Sequence, residues 1–322
     1  MGQIQTVLGA VAPEDLGVTM MHEHVVARFN EKLEARELHY AIKELRKARM
    51  WGCHTIVEVS PPRMFLELNG GRNIPILQEV AKKTGLNIVC CTGYYRIPPE
   101  INDMDMKTIA NKMIKEVSEG VGETDVRAGI IKVAANNVPL LAVEEKLFVA
   151  AGIAQSETGA PICCHSIFGP REQLGALVKG GADPNHCYFS HIEAEFGWEG
   201  RSLQEEAEYL LDITRKGGAL LFNNFGFAQD TPWEDLVYLV RRLVDEGFEN
   251  KVLVSIDVNW VIHDDGSVEL EAETANPGCR KRNYAYLFTH ALPMLEEAGI
   301  NRKNIDTFLI ENPKEILTPF KA

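Results

Sequence analysis

The chain has 322 residues, 45% of them apolar and 25% charged, which is the composition of an ordinary globular protein. Its net charge of -13 argues against a nucleic-acid or anionic-membrane partner. No run approaches the ~20 apolar residues that span a bilayer, and Met1-Gly-Gln-Ile-Gln-Thr6 lacks the basic and apolar regions of a secretory signal, so a cytoplasmic location is expected.

Short β-rich runs alternate with helical ones to the end of the chain. The expected strands are Gly17–Met21, Thr55–Ser60, Asn87–Thr92, Ala128–Ala134, Pro161–His165, Cys187–His191, Ala219–Asn223 and Lys251–Asp257. Most are apolar without clean alternation, as strands covered on both faces are. Helices are expected between them over Leu38–Trp51, Ile74–Lys83, Met106–Glu119, Val143–Glu157, Glu172–Lys179, Leu203–Lys216 and Trp233–Asp245, then Tyr284–Glu297 and Ile305–Glu311. In the third, Ile109, Met113 and Val117 recur at i, i+4 and i+8 on one face. Eight βα units in series predict a single α/β domain over residues 1–322, a (β/α)8 TIM barrel. An open doubly wound sheet is the alternative, but the Gly-rich phosphate turn that usually marks one is missing. The long irregular segments Ser60–Asn73, Gly93–Asp105 and Val258–Arg282 each follow a strand, on the face where barrels carry their chemistry. Seven cysteines, several inside strand-like runs and none in a Cys-x-x-Cys pair, read as buried reduced thiols.

Polar residues stand at the strand ends. His22 and His24 close the first strand, two residues apart and so on one face of it. Lys132 lies in the fourth; His165 ends the fifth, His191 the sixth and Asp257 the eighth. Each alone has an ordinary reading, a hydrogen-bonded core histidine or a helix-capping aspartate. In a barrel, however, all six face one mouth, which points to a metal site at the C-terminal face of the strands. Lys132 is the least ordinary, because an ammonium among Ile130, Ile131 and Val133 costs several kcal/mol unless it is paired or neutral. It either meets a buried carboxylate or loses its proton and adds CO2. The resulting carbamate can bridge two cations roughly 3.5–4 Å apart. Two divalent cations balanced by that carbamate, Asp257 and a hydroxide leave a net charge of about +1, so metal binding and lysine carboxylation are expected to be coupled.

At this point the residues resemble a known family. His22-x-His24, Lys132, His165, His191 and Asp257 look like the binuclear amidohydrolase superfamily, and the closer likeness is to its phosphotriesterase-like family, lactonases included. Leu16-Gly-Val-Thr-Met-Met-His-Glu-His24, Cys91-Thr-Gly-Tyr-Tyr95, Arg127-Ala-Gly-Ile-Ile-Lys132 and Glu311-Asn-Pro313 carry it across essentially the whole chain. The resemblance implies a more buried metal on His22, His24 and Asp257, a more exposed one on His165 and His191, and carboxylated Lys132 with a hydroxide bridging them. The hydroxide would attack a carbonyl or phosphoryl centre, and Asp257 would take the proton. Zinc is the first expectation for the two divalent metals, with manganese, cobalt or iron as alternatives, and the family suggests a homodimer.

Organophosphate-hydrolysing members carry a relay aspartate three residues beyond the strand-6 histidine. Here Ala194 stands there between Glu193 and Glu195, so either a glutamate substitutes or these are solvated loop carboxylates. Tyr94-Tyr95-Arg96 falls where lactone-hydrolysing relatives place a tyrosine near substrate, or else it packs the rim. Val258-Asn-Trp260 departs from the lactonase pattern, and the segment to Arg282 is expected to shape the pocket. The basic run Arg280-Lys281-Arg282 suggests a phosphorylated or carboxylated substrate, or else a solvated helix start. Tyr95, Glu193, Trp260, Arg280 and Arg282 are therefore the expected substrate-side residues. The leading expectation is hydrolysis of a small-molecule ester, a lactone first. An amide or phosphotriester is the second, and a metal-retaining barrel that binds without turnover is the third.

Overall fold

The computed structural model describes residues 2–25, 34–62, 73–193, 200–226, 232–258, 260–262, 265, 267–270 and 282–321. Eight parallel strands follow one another around a nearly closed barrel: β1 (Thr19–Glu23), β2 (Thr55–Glu58), β3 (Asn87–Tyr94), β4 (Ile130–Ala134), β5 (Ile162–His165), β6 (Cys187–Ser190), β7 (Ala219–Phe222) and β8 (Val252–Val254). Helices alternate with them: α1 (Glu34–Met50), α2 (Ile74–Thr84), α3 (Met106–Ser118), α4 (Ala142–Thr158), α5 (Pro170–Lys179), α6 (Leu203–Arg215) and α7 (Trp233–Asp245). The expected TIM barrel is what forms.

Local chemistry sets the helix limits. Asn73 and Asp105 cap the starts of α2 and α3 by accepting from Ile76 N and Thr108 N. Ser202 and Glu205 form a reciprocal capping box on α6, and α2 ends on Gly85 in the left-handed conformation at φ 71°. Helix faces carrying Ile109 and Met113, or Leu236, Val240 and Leu243, then pack against the outside of the sheet.

Inside the barrel Met21, Val57, Val59, Val89, Cys91, Ile130, Cys163, Tyr188, Leu221 and Leu253 form a separate buried cluster. Ile4 from an N-terminal hairpin (Ile4–Thr6 with Gly9–Val11) joins it, as do Ile316 and Leu317 of the last helix, Asn312–Leu317. This floor leaves only the C-terminal ends of the strands for chemistry. Asn312 Nδ2 donates to Glu249 O at 2.8 Å and Val252 O at 2.7 Å, tying that last helix to the start of β8.

Two expectations change here. Val258–Arg282 is not wholly irregular, because Trp260–Ile262 and Val268–Leu270 pair as an antiparallel hairpin. The expected single helices near the C-terminus are broken by π-helical turns at Leu287–Ala291 and Thr307–Glu311. Each turn runs into a proline, Pro293 or Pro313, whose missing N–H interrupts the α-helical ladder. Among the described residues no helix is long and apolar enough to cross a membrane.

Candidate metal centre

A β-bulge aims the first histidine. Between Met20 and Glu23, β1 advances three residues while β2 advances two, from Ile56 to Glu58. Met21 therefore packs inside the barrel while its neighbour His22 also reaches the mouth, where its ring centroid lies 4.8 Å from that of His191. Simple alternation would not place both there. His191 in turn lies 4.5 Å from His165, and His22 lies 5.5 Å from His24.

Asp257 joins these rings. Its Oδ1 is 3.1 Å from His24 Nε2 and 3.5 Å from His22 Nε2, and its Oδ2 is 3.7 Å from His191 Nδ1. Tetrahedral coordination at zinc-like bond lengths separates ligand atoms by about 3.3 Å, so these spacings suit donors sharing a cation. His22, His191 and Asp257 alone offer three ligand atoms within 4.8 Å of one another. His165 Nε2 is buried without a hydrogen-bond partner, as an atom kept for a metal is. The donor set thus fits divalent cations.

Three of the four histidines favour the neutral form that a ligand needs. Burial holds His22 and His165 well below the ordinary histidine range and brings His191 to about 4, leaving neutral imidazoles. Burial also opposes charge on His24, but the Asp257 carboxylate outweighs it and the net shift is upward. For Asp257 burial pushes upward, while His22 and His24 pull harder and hold it well below the carboxylate range. His24 is oriented from behind, its Nδ1 pairing with Ser60 Oγ at 2.8 Å and its Nε2 left toward Asp257. Ser60 is held in turn by Glu58, whose Oε1 accepts from Ser60 N at 2.9 Å and whose Oε2 accepts from Val25 N.

Lys132 is fully buried in β4, opposite Gly93 of β3 and Cys163 of β5. Its Nζ donates to Cys163 Sγ at 3.4 Å and, among the described residues, meets no carboxylate. Gly93 is what lets the two strands approach, because a Cβ there would lie 2.1 Å from Lys132 O.

His191 and Asp257 have left-handed backbones, at φ 62° and 57°, and both are braced. His191 N donates to Asn223 Oδ1 at 3.2 Å. Glu23 accepts from the amides around Asp257: Ile256 at 2.9 Å, Asp257 at 3.3 Å and Val258 at 2.8 Å.

The substrate-side residues divide. Tyr95 is half-buried at the mouth, its ring 4.9 Å from that of His165. Glu193 is not a solvated loop carboxylate: it is fully buried, and its Oε1 accepts from Asn223 N and Asn224 N at 2.6 Å each. Burial pushes its carboxyl up to about 7. Trp260, in the hairpin after β8, is buried in the outer core, edge-on to Tyr40 and Tyr284. Arg282 is no solvated cation either, since its Nη2 donates to Asn223 O at 2.8 Å and to Ile256 O, joining the ends of β7 and β8. Ala194, Glu195, Arg280 and Lys281 lie outside the described residues.

Sequence reasoning missed the supporting roles of Glu23, Glu58, Ser60 and Cys163. The only signal was a set of acidic residues at strand ends inside otherwise apolar runs.

Comparison with known proteins places this geometry. A family model described as the phosphotriesterase family matches residues 2–317. The phosphotriesterase homology protein of Escherichia coli is 28% identical over 93% of this chain and 97% of its own. The N-acetyltaurine hydrolase of Danio rerio is 27% identical over 98% of both chains. The aryldialkylphosphatase of Saccharolobus solfataricus is 28% identical over 96% of this chain and 97% of its own.

Proposed function

The chain belongs to the phosphotriesterase family of metal-dependent hydrolases, and from that premise we propose that it hydrolyses a small ester, a lactone first, at a two-metal centre. The observation that carries this reading is the convergence of His22, His24, His165, His191 and Asp257 around a buried Lys132 whose one hydrogen-bond partner, among the described residues, is a thiol. His22, His24 and Asp257 would hold one cation and His165 and His191 the other, with a carboxylated Lys132 between them. When bound, divalent cations acidify water and polarise a substrate oxygen, zinc being the first choice.

The protein groups do the rest. Asp257 is 23% exposed at its side chain whereas His22, His24 and His191 are at most 8%, so it is the group of this set able to pass a proton outward. Ser60 and Glu58 keep His24 in one orientation. Tyr95, against His165, offers a phenol where a ring ester would enter, and this is what favours a lactone. The complete donor set speaks against a barrel that binds without turnover. A homodimer in the cytoplasm is part of the same proposal.

The N-acetyltaurine hydrolase relative supports an amide as the second substrate class. A panel of lactones, phosphorylated lactones, linear esters, N-acyl amides and phosphotriesters, assayed with and without chelator, decides. Chelator-sensitive turnover fastest on lactones is expected, and a preference for amides would replace the ester reading.

A further inference from the structure

Among the described residues the β8–β1 seam is where adjacent barrel strands lack a backbone ladder, since the sheet order ends at these two. One backbone bond, from His24 N to Val258 O at 3.2 Å, crosses it just beyond the strands, and side chains do the rest. His22 N donates to Ser255 Oγ at 3.1 Å, and Ser255 Oγ donates to Glu23 Oε1 at 2.6 Å. The same carboxylate gathers three consecutive amides: Oε1 accepts from Ile256 N and Asp257 N, and Oε2 accepts from Val258 N. Glu23 is fully buried, so these hydrogen bonds form away from water, where leaving one unmade costs most.

This clamp sits between the two halves of a donor set. Glu23 stands between His22 and His24 on β1, and the amides it holds flank Asp257. Successive amides converging on one anion form a nest, a geometry that needs residues outside the extended conformation. Asp257, at φ 57°, supplies it. A left-handed non-glycine residue costs about 1 kcal/mol or more and persists only where its surroundings hold it.

We infer that Glu23 is a positioning residue: its carboxylate sets Asp257 opposite His22 and His24 at cation-sharing distance. This rests on the reading of the mouth as a metal centre. A purely structural Glu23 would only hold the seam together, and its loss would cost stability without a specific effect on metal.

The test compares metal-free wild type, Glu23→Gln and Leu253→Ala. Leu253 is a β8 residue of the barrel-interior cluster and takes no part in the clamp's hydrogen bonds, so Leu253→Ala weakens the same strand while leaving the clamp. Cobalt(II) uptake is followed by its visible absorption, and zinc affinity by competition with a chromophoric chelator. Glu23→Gln is expected to weaken zinc affinity by roughly 10–100-fold, the usual effect of losing a group that orients ligands, and to alter the cobalt spectrum. Leu253→Ala is expected to bind within about twofold of wild type even if it melts at a lower temperature. Wild-type affinity and spectrum in Glu23→Gln overturn the inference. If Glu23→Gln is unfolded by circular dichroism, Ser255→Ala takes its place with an expected loss of roughly 3–10-fold, the worth of about one hydrogen bond, and unchanged affinity there overturns it. A wild-type apoprotein that takes up no cobalt overturns the metal-centre reading itself, which separates the two failures.

Discussion

Lys132 Nζ stands 3.4 Å from Cys163 Sγ, and that thiol is the only hydrogen-bond partner of the amine among the described residues. A buried ammonium with so weak an acceptor is unfavourable by several kcal/mol, so the amine is set up to become something else. On the proposed reading, carboxylation would convert it into an oxygen donor and balance the charge of the cations.

Lys132→Ala is therefore expected to lower kcat/KM by at least ~10³-fold and to lower metal content, since it would remove the proposed bridge. Short carboxylic acids added to this variant should restore part of the activity by supplying the missing oxygens. Steady-state assays across an acid series check this, and a variant with wild-type turnover would refute the bridging role.

Gly93→Ala places a methyl 2.1 Å from Lys132 O, at a backbone φ of 103°. The strands must part or the residue must change conformation, and a loss of about 3 kcal/mol or more is expected. Urea denaturation measures it. The same displacement moves Lys132, so metal affinity should fall in parallel.

Asp257→Asn keeps the shape of the side chain and removes its charge. The expected outcome is a fall in kcat of at least ~10²-fold, because both proton acceptance and the anionic donor are lost. In metal-free protein it also removes the partner that raises the His24 pKa. Proton NMR of the imidazole resonances should then show His24 shifted toward lower pKa.

Burial pushes the Cys53 and Cys187 thiols up to about 12. A raised thiol pKa depletes the thiolate, the reactive form, so at pH 8 roughly one molecule in 10⁴ carries it at either site. Of the seven cysteines, six are buried and free, and Cys279 lies outside the described residues. A chromogenic disulfide reagent at pH 8 should titrate no more than one thiol in the native protein and all seven after denaturation. Below pH 12 each unit of pH should raise the reaction rate of the Cys53 and Cys187 thiols about tenfold, until unfolding intervenes.

Arg282→Met should destabilise the fold by about 2–4 kcal/mol, because two buried carbonyls lose their donor. It should leave KM nearly unchanged. A raised KM with intact stability would return Arg282 to the substrate side.

The barrel, and the convergence of these side chains at its mouth, were legible because both follow from position along the strand. Apolar runs such as Ile162–His165 announce buried strands, and a histidine or aspartate at the end of such a run has nowhere to point but the mouth. The supporting groups were not legible, because their partners are remote. Glu23 binds residues more than 230 positions away, and Glu193 binds amides 30 positions on, through contacts without periodicity. Trp260 and Arg282 resembled pocket residues because both follow the strand-8 aspartate. The hairpin and the β7–β8 junction draw them inward, and neither leaves a local pattern. The bulge in β1 is similar: His22 and His24 were identified, but Met21 beside them also faces inward, which alternation forbids.

The central claim is tested most directly by counting metal. Protein purified without chelator, analysed by inductively coupled plasma mass spectrometry alongside lactone turnover, should carry about two divalent ions per chain, lose activity as they are stripped and regain it when they return. Full activity at a metal stoichiometry near zero would contradict the account.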